Sequence, residues 1–135
     1  MNKTSALEKL LMSAINAIAV IFISIPFLIL VESVFYKKII VISVFFLFNL
    51  FFLVFNKNRC LGMILRKANY CKKHSTKENL VYITLYTLSF STLFFWIMFP
   101  FDLFLINMLL IQLPFIYKTG TTFQGFMSGK LTTIK

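Results

Sequence analysis

Cys60, Cys71 and His74 lie within fifteen positions of one another and are the residue types that ligate soft or borderline metals. A zinc site needs a fourth ligand, and the spacing matches no finger. His74 also follows Lys72 and Lys73, whose charges oppose a bound cation. The two cysteines therefore read as free thiols in a polar loop, and no metal or cofactor is expected. Hydrolytic or acid–base catalysis is equally poorly served. The chain has one His and four acids, Glu8, Glu32, Glu78 and Asp102, and no two of these fall at a catalytic spacing. The reading is of a protein that is not an enzyme.

A second set of polar residues is more informative because it interrupts apolar runs. Asn16, Asn49 and Gln112 each stand five or six positions inside such a run, about 8 Å from its end at the helical rise, and Thr84 stands at similar depth in a fourth. Asn107 lies nearer the middle of its run. Amides at that depth either hydrogen-bond between helices and fix their packing, or line a polar cavity that admits a solute or ion. Thr84, Thr87 and Ser91 are spaced for bonding back to carbonyls one turn earlier. Asp102, two residues after Pro100, reads as a turn residue whose carboxylate caps a following helix.

The elements that carry these residues are set by composition. With 13% charged residues, 59% hydrophobic residues and 18 Phe in 135 positions, no water-soluble surface can be built, so most of the chain has lipid as its solvent. The apolar runs predict spans at 10–31, 39–55, 80–99 and 103–117. The first is about 33 Å long as a helix, enough for a ~30 Å hydrocarbon core. It follows Lys3 and Lys9 as a signal peptide would. It is too long for one, however, and no small-residue cleavage site follows it, so it reads as a retained span. Pro26 is expected to kink it. The expected fold is an all-α membrane protein, one domain of four transmembrane helices. Trp96 and its Phe neighbours are assigned to the outer aromatic belt.

Charge reports topology. Lys and Arg concentrate between the apolar runs, above all in the loop 56–79, rather than on a groove-reading or base-stacking module, which excludes nucleic acid as the partner of the +10 net charge. Four spans put both termini on one side. With both cytoplasmic, only Lys37 and Lys38 among the 14 Lys and Arg fall outside, so the cytoplasmic membrane, with anionic lipids at its inner face, is the expected location. In the tail 118–135, Phe123, Phe126 and Met127 at i, i+3 and i+4 predict a short interfacial helix ending near Gly129. The β-branched residues Thr132, Thr133 and Ile134 predict that 130–134 is a strand and pairs with the segment around 64–70 at the cytoplasmic surface. A competing pattern through Leu61, Ile64, Leu65 and Ala68 would make that partner an amphipathic helix.

Three stretches resemble the RDD family of small bacterial membrane proteins, which is named for one Arg and two Asp. KLLMSAINAIAVIFISIPFLIL is similar to the family's opening, with Lys9 where the family has Arg and Asn16 where it has Asp. NRCLGMILRKA resembles the stretch after the family's second span, with Cys60 in place of Thr and with Gly62 and Met63 retained. TTFQGFMSGKLTT resembles the closing His-Asp stretch that leads to a Gly-Thr strand. Gln124 and Gly125 replace His-Asp, and Gly129 stands ahead of the strand. The resemblance implies the fold described above and, for some members, transport including cation antiport. Of the signature charges only that at Lys9 is kept.

Two functions follow as expectations. One is a non-enzymatic packing or accessory module in a homo-oligomer or larger membrane complex. The other is a transporter or channel-like unit for a small solute or ion, with the amide layer as part of the path. No Asp, Glu, Lys, Arg or His falls within the apolar core of any predicted span, and ion coupling ordinarily needs one, so the first is favoured.

Overall fold

The computed structural model describes residues 4–55, 59–70, 75–127 and 133–134. Helix α1 spans Ala6–Ile29. Its start is fixed by Ser5, whose hydroxyl accepts the backbone N–H of Glu8, with Glu8 itself in the first turn where the helix dipole favours a negative charge. Lys9, Met12, Asn16, Val20 and Ser24 are its buried residues, a single stripe at three- and four-residue spacing. Helix α2, Val34–Phe55, buries Val41, Phe45 and Asn49 at a regular four-residue interval. Helix α4, Thr76–Ser91, is capped by Ser75 in the way that Ser5 caps α1, and buries Ile83, Tyr86, Thr87 and Phe90.

These three helices meet around Val20, Val41, Phe45, Tyr86 and Phe90. Phe45 stacks on Phe90 with ring centroids 4.0 Å apart and meets Tyr86 edge-on at 5.0 Å. Each such pair contributes about 0.5–1.5 kcal/mol beyond the area it buries. The opposite faces are apolar and uncovered: Phe22 on α1 is 68% exposed, and Phe51 on α2 is 55% exposed. This outward hydrophobicity is what a bundle surrounded by lipid requires.

Three helical runs are long and apolar enough to cross a membrane: Ala6–Ile29, Val34–Phe52 and Asp102–Thr119. The expected third span, 80–99, is not one helix. Helix α4 starts earlier than expected and ends at Ser91, 16 residues or about 24 Å in all. Past Ser91 the chain tightens into i→i+3 turns, with Leu93 N–H donating to Phe90 O and Phe94 N–H to Ser91 O. An irregular segment follows. The Asp102 carboxylate gathers it, accepting the N–H groups of Ile97, Met98 and Leu103, while Phe101 takes a left-handed φ of 64°. Asp102 is thus a turn-and-cap residue, as its place after Pro100 indicates. Nearby, Lys38 Nζ sits 5.6 Å from the Trp96 ring centroid, a cation–π contact at that end of the bundle.

The last membrane-length run is made of α5 (Asp102–Ile106), a π-helical segment (Asn107–Gln112) and α6 (Leu113–Thr119), which ends at Gly120 in a left-handed cap with φ 75°. Helix α7, Phe123–Met127, follows, and Phe123 and Phe126 pack on Phe115. Gly129 and residues 130–132 of the expected strand lie outside the described residues.

The opposite end of the bundle from Asp102 is closed by short elements. Helix α3, Leu61–Leu65, lies against α1, and the chain then turns through Lys67, with φ 56°, into strand β1, Asn69–Tyr70. Strand β1 pairs antiparallel with β2, Thr133–Ile134, as Asn69 with Ile134 and Tyr70 with Thr133. Both expectations for 64–70 thus hold in part: the helix ends at Leu65, and the strand pairing occupies only the last two residues. The N–H of Thr4 donates to Thr133 O, so the segments near both ends of the sequence meet at this face. Glu8 and Arg66 form a two-pronged ion pair across it, at 2.5 and 3.0 Å.

Candidate functional site

Asn16 is the hub of the closed end. One percent exposed, it donates from Nδ2 to Tyr86 Oη and to Cys60 Sγ, both at 3.2 Å, and its Oδ1 accepts the backbone N–H of Gly62 at 2.8 Å. Tyr86 passes the chain on, donating to Ser13 Oγ at 3.0 Å. One side chain therefore ties α1 to α3 and α4. Helix α3 can lie this close only because position 62 is glycine, since a Cβ there would stand 2.1 Å from the backbone oxygen of Met12. Met12, Cys60, Met63 and Ala68 fill the space beside this contact. Burial pushes the Cys60 thiol up from its ordinary pKa and holds it protonated, and it pushes the Tyr70 hydroxyl well up for the same reason.

Lys9 stands one turn into α1, because the helix begins at Ala6 rather than at residue 10, and is only 7% exposed. Its ammonium donates to Thr4 O at 3.0 Å, Thr4 Oγ1 at 2.5 Å and Thr133 Oγ1 at 3.3 Å, so it fastens both ends of the sequence to α1. Lys9 and Asp102, which flank the predicted apolar runs 10–31 and 103–117 rather than fall within them, are both buried, one at each end of the bundle.

Gln112 forms the third part. Its Nε2 donates to Gln124 Oε1 at 2.9 Å and approaches Asn107 Oδ1 at 3.5 Å, while its Oε1 accepts the N–H of Phe123. Asn107 in turn donates to Ser89 Oγ on α4 at 2.6 Å. Five positions on an α-helix are about 140° apart in projection, too far for two side chains to share a face. The wider π-helical turn brings Asn107 and Gln112 together.

Not all of the expected amide layer takes part. Thr84 is exposed and bonds back to Leu80 O, so it leaves the layer, and Ser91 bonds back to Leu88 O in the same way. Asn49 is buried, but its Nδ2 bonds Phe45 O on its own helix, and its Oδ1 has no hydrogen-bond partner among the described residues. The polar groups thus form a cluster at one end, with Tyr86 taking the place foreseen for Thr84. Tyr82 and Tyr86, four apart on α4, and Ser13, three before Asn16 on α1, were the signals in the sequence that placed hydroxyls there.

Lys9, Asn16, Cys60, Met63 and Gln124 line one small cavity together with Tyr70, Tyr82 and Tyr86. Its volume is about 40 Å³, room for a few waters at most. Gly125 sits beside it and donates its N–H to Thr122 Oγ1. Among the described residues no group of three His, Cys, Asp or Glu could hold a metal; Cys71 and His74 lie outside them. A much larger hollow, about 640 Å³, separates α1 and α4 from the run Asp102–Thr119 and is mostly apolar.

Comparison with known proteins gives no match to any family model, to any curated protein or to any solved structure.

Proposed function

We propose that this chain is a non-enzymatic, RDD-like packing or accessory module of the cytoplasmic membrane, working in a homo-oligomer or a larger membrane complex. The observation that carries this reading is the use made of the buried amides. Asn16 and Gln112 spend their hydrogen-bonding groups on fixed protein partners; the cavity that Asn16 borders has room only for a few waters, and the larger hollow that Gln112 borders is mostly apolar. A solute path would need a larger polar space, and ion coupling would need a titrating group partway across. The RDD assignment draws support from convergence: Lys9, Asn16, Cys60, Met63 and Gln124, drawn from three separate stretches, meet at one cavity.

For topology, the meeting of Thr4 with Thr133 favours an even number of crossings, with α4 and the irregular segment after it as the third passage. The basic residues Lys9, Arg59, Arg66 and Lys67 lie in or beside the segments that meet at this end, which supports a cytoplasmic assignment for it by the positive-inside rule. The test joins two measurements. Protein purified in mild detergent should carry a stable oligomeric mass or copurifying membrane subunits. In liposomes it should show no sodium- or potassium-driven proton exchange, and Asn16→Leu should lower thermal stability by about 1–3 kcal/mol, because Gly62 N–H loses its acceptor. Robust antiport abolished by Asn16→Leu would instead establish the transporter reading.

A further inference from the structure

As the third passage through a bilayer, α4 is too short alone. Lys77, Glu78 and Asn79 fill its polar start, and over 80–91 it covers about 17 Å at the helical rise, against a hydrocarbon core of ~30 Å. The segment after it has to supply the rest, and no residue over 93–101 carries a charge or a hydroxyl. Leu93 and Phe94 pack on the same core cluster as Leu28, which lies in the last turn of α1. The Phe95 and Trp96 ring centroids lie 5.4 and 5.6 Å from Lys38 Nζ. Lys38 is the last cation before the apolar stretch of α2, where a lysine holds its ammonium at the headgroup level, so it marks the depth of these two rings.

Beyond Trp96 come Ile97, Met98 and Phe99, which are 76%, 87% and 57% exposed. A turn in water can leave its N–H groups to solvent, whereas non-helical backbone at membrane depth has to satisfy them within the protein. This turn is built the second way. The N–H groups of Ile97 and Met98 donate to the buried Asp102 carboxylate at 3.0 and 2.7 Å. Asp102 N–H donates to Phe99 O at 3.2 Å, and the Trp96 indole N–H donates to Leu93 O at 3.1 Å. Three large apolar side chains thus stand exposed on a turn that directs these donors inward. A protein partner would also accept such side chains, but it accounts neither for the depth set by Lys38 nor for the missing length of α4. The bilayer accounts for both.

We propose that the turn 96–101 is a membrane wedge, with Ile97, Met98 and Phe99 inserted among the acyl chains just below the headgroups of the leaflet at the Asp102 end, and with Trp96 and Lys38 at the boundary. The wedge rests on α4 and the segment after it forming the third passage, and not on the choice between accessory module and transporter.

Trp96 is the only tryptophan of the chain, so fluorescence can report one site at a time. The test uses the full chain in phosphatidylcholine vesicles, in a Trp96→Phe background carrying Met98→Trp. The new indole should lose most of its emission when the lipid is brominated on its acyl chains near the headgroup, and little to iodide supplied on both sides of the vesicle. Leu88→Trp in the same background, at a position 59% exposed on α4, is the control for the passage itself and should be quenched by bromine. With that control quenched, iodide quenching at position 98 without bromine quenching would put the turn in water and overturn the wedge alone. Shielding from both quenchers would reveal a protein partner and overturn it as well. Absence of bromine quenching at position 88 would instead remove the third passage, and the wedge with it. Adding Asp102→Leu to the Met98→Trp chain, which leaves N–H groups to seek water, should shift quenching from bromine toward iodide; an unchanged pattern would overturn the part given to the carboxylate. Should Met98→Trp not fold, native Trp96 gives the same readout, with bromine quenching expected and quenching by iodide alone overturning the wedge.

Discussion

Gly62 and Asn16, 46 residues apart in sequence, are joined by a backbone N–H to side-chain Oδ1 hydrogen bond of 2.8 Å, and the glycine's missing side chain is what permits it. The contact makes α3 an extension of the α1 surface rather than a loop resting on it. Through Asn16 the same contact reaches Tyr86 and so the packing of α4, which carries both Tyr86 and Phe90 into the core.

Replacing Gly62 with Ala would place a methyl 2.1 Å from Met12 O, a backbone atom that cannot swing aside. Helix α3 would have to lift, and the Asn16 bond would open. The expected loss is at least about 1–3 kcal/mol, the cost of leaving one buried polar group unpaired. Thermal unfolding in mild detergent should show a clearly lowered midpoint for Gly62→Ala. An unchanged midpoint would mean that α3 does not pack on α1 as described.

Much of the architecture is legible in the sequence because in lipid a helix is the cheapest way to satisfy the backbone, so apolar run length alone places α1, α2 and the final run. Run length fails at the third span. Nothing in the apolar stretch through Phe94 and Trp96 signals that the helix ends at Ser91, since what holds the following segment is the carboxylate of Asp102, several residues later. The cluster was half legible. Asn16 and Gln112 stand out as amides among apolar residues, and their partners Cys60, Gly62 and Gln124 fall in the family-like stretches. Tyr86 does not stand out, because a tyrosine in an aromatic-rich run looks like core or interface until its hydroxyl is seen to bridge Asn16 and Ser13. Asn107 and Gln112 look unrelated at five-residue spacing until the π-helical turn aligns them.

Cys60 offers a second test, in a Cys71→Ser background so that one thiol reports. Its sulfur is buried and accepts from Asn16, so a membrane-impermeant maleimide should leave it unlabelled even in lysed membranes and modify it only after unfolding in dodecyl sulfate. Its folded pKa lies above the unfolded value of about 8.5. As pH rises past that value the unfolded chain releases the proton first, so stability that is complete below about pH 8.5 should decline between there and about pH 10, where tyrosines begin to contribute. Cys60→Ala should flatten that decline whatever its effect on stability at neutral pH. Rapid labelling of the native protein would contradict the burial of this residue.

The last prediction concerns how the final helical run is held. Apart from the Asp102 turn and the Thr119–Thr121 contacts at its two ends, it is linked to the rest of the described structure by hydrogen bonds from Asn107 to Ser89 and from Gln112 to Gln124 and Phe123, while a wide hollow lies between it and α1. Interhelical hydrogen bonds in membranes average about 0.6 kcal/mol and reach about 1.7, because the separated helices find other partners in the bilayer. A double-mutant cycle with Gln112→Leu, Gln124→Leu and the pair should therefore give a coupling energy of about 0.6–1.7 kcal/mol. Gln112→Leu should cost more than Gln124→Leu, since it also leaves the Phe123 N–H without its acceptor and withdraws the neighbour of Asn107 Oδ1. A cysteine pair designed across the hollow, Ala14→Cys with Leu109→Cys, should cross-link through a flexible bifunctional maleimide, and more readily in the Gln112→Leu background, where the run is free to approach α1. Strict additivity in the cycle, together with cross-linking unchanged by Gln112→Leu, would show that apolar packing alone positions the run and that the π-helical amides do not hold it.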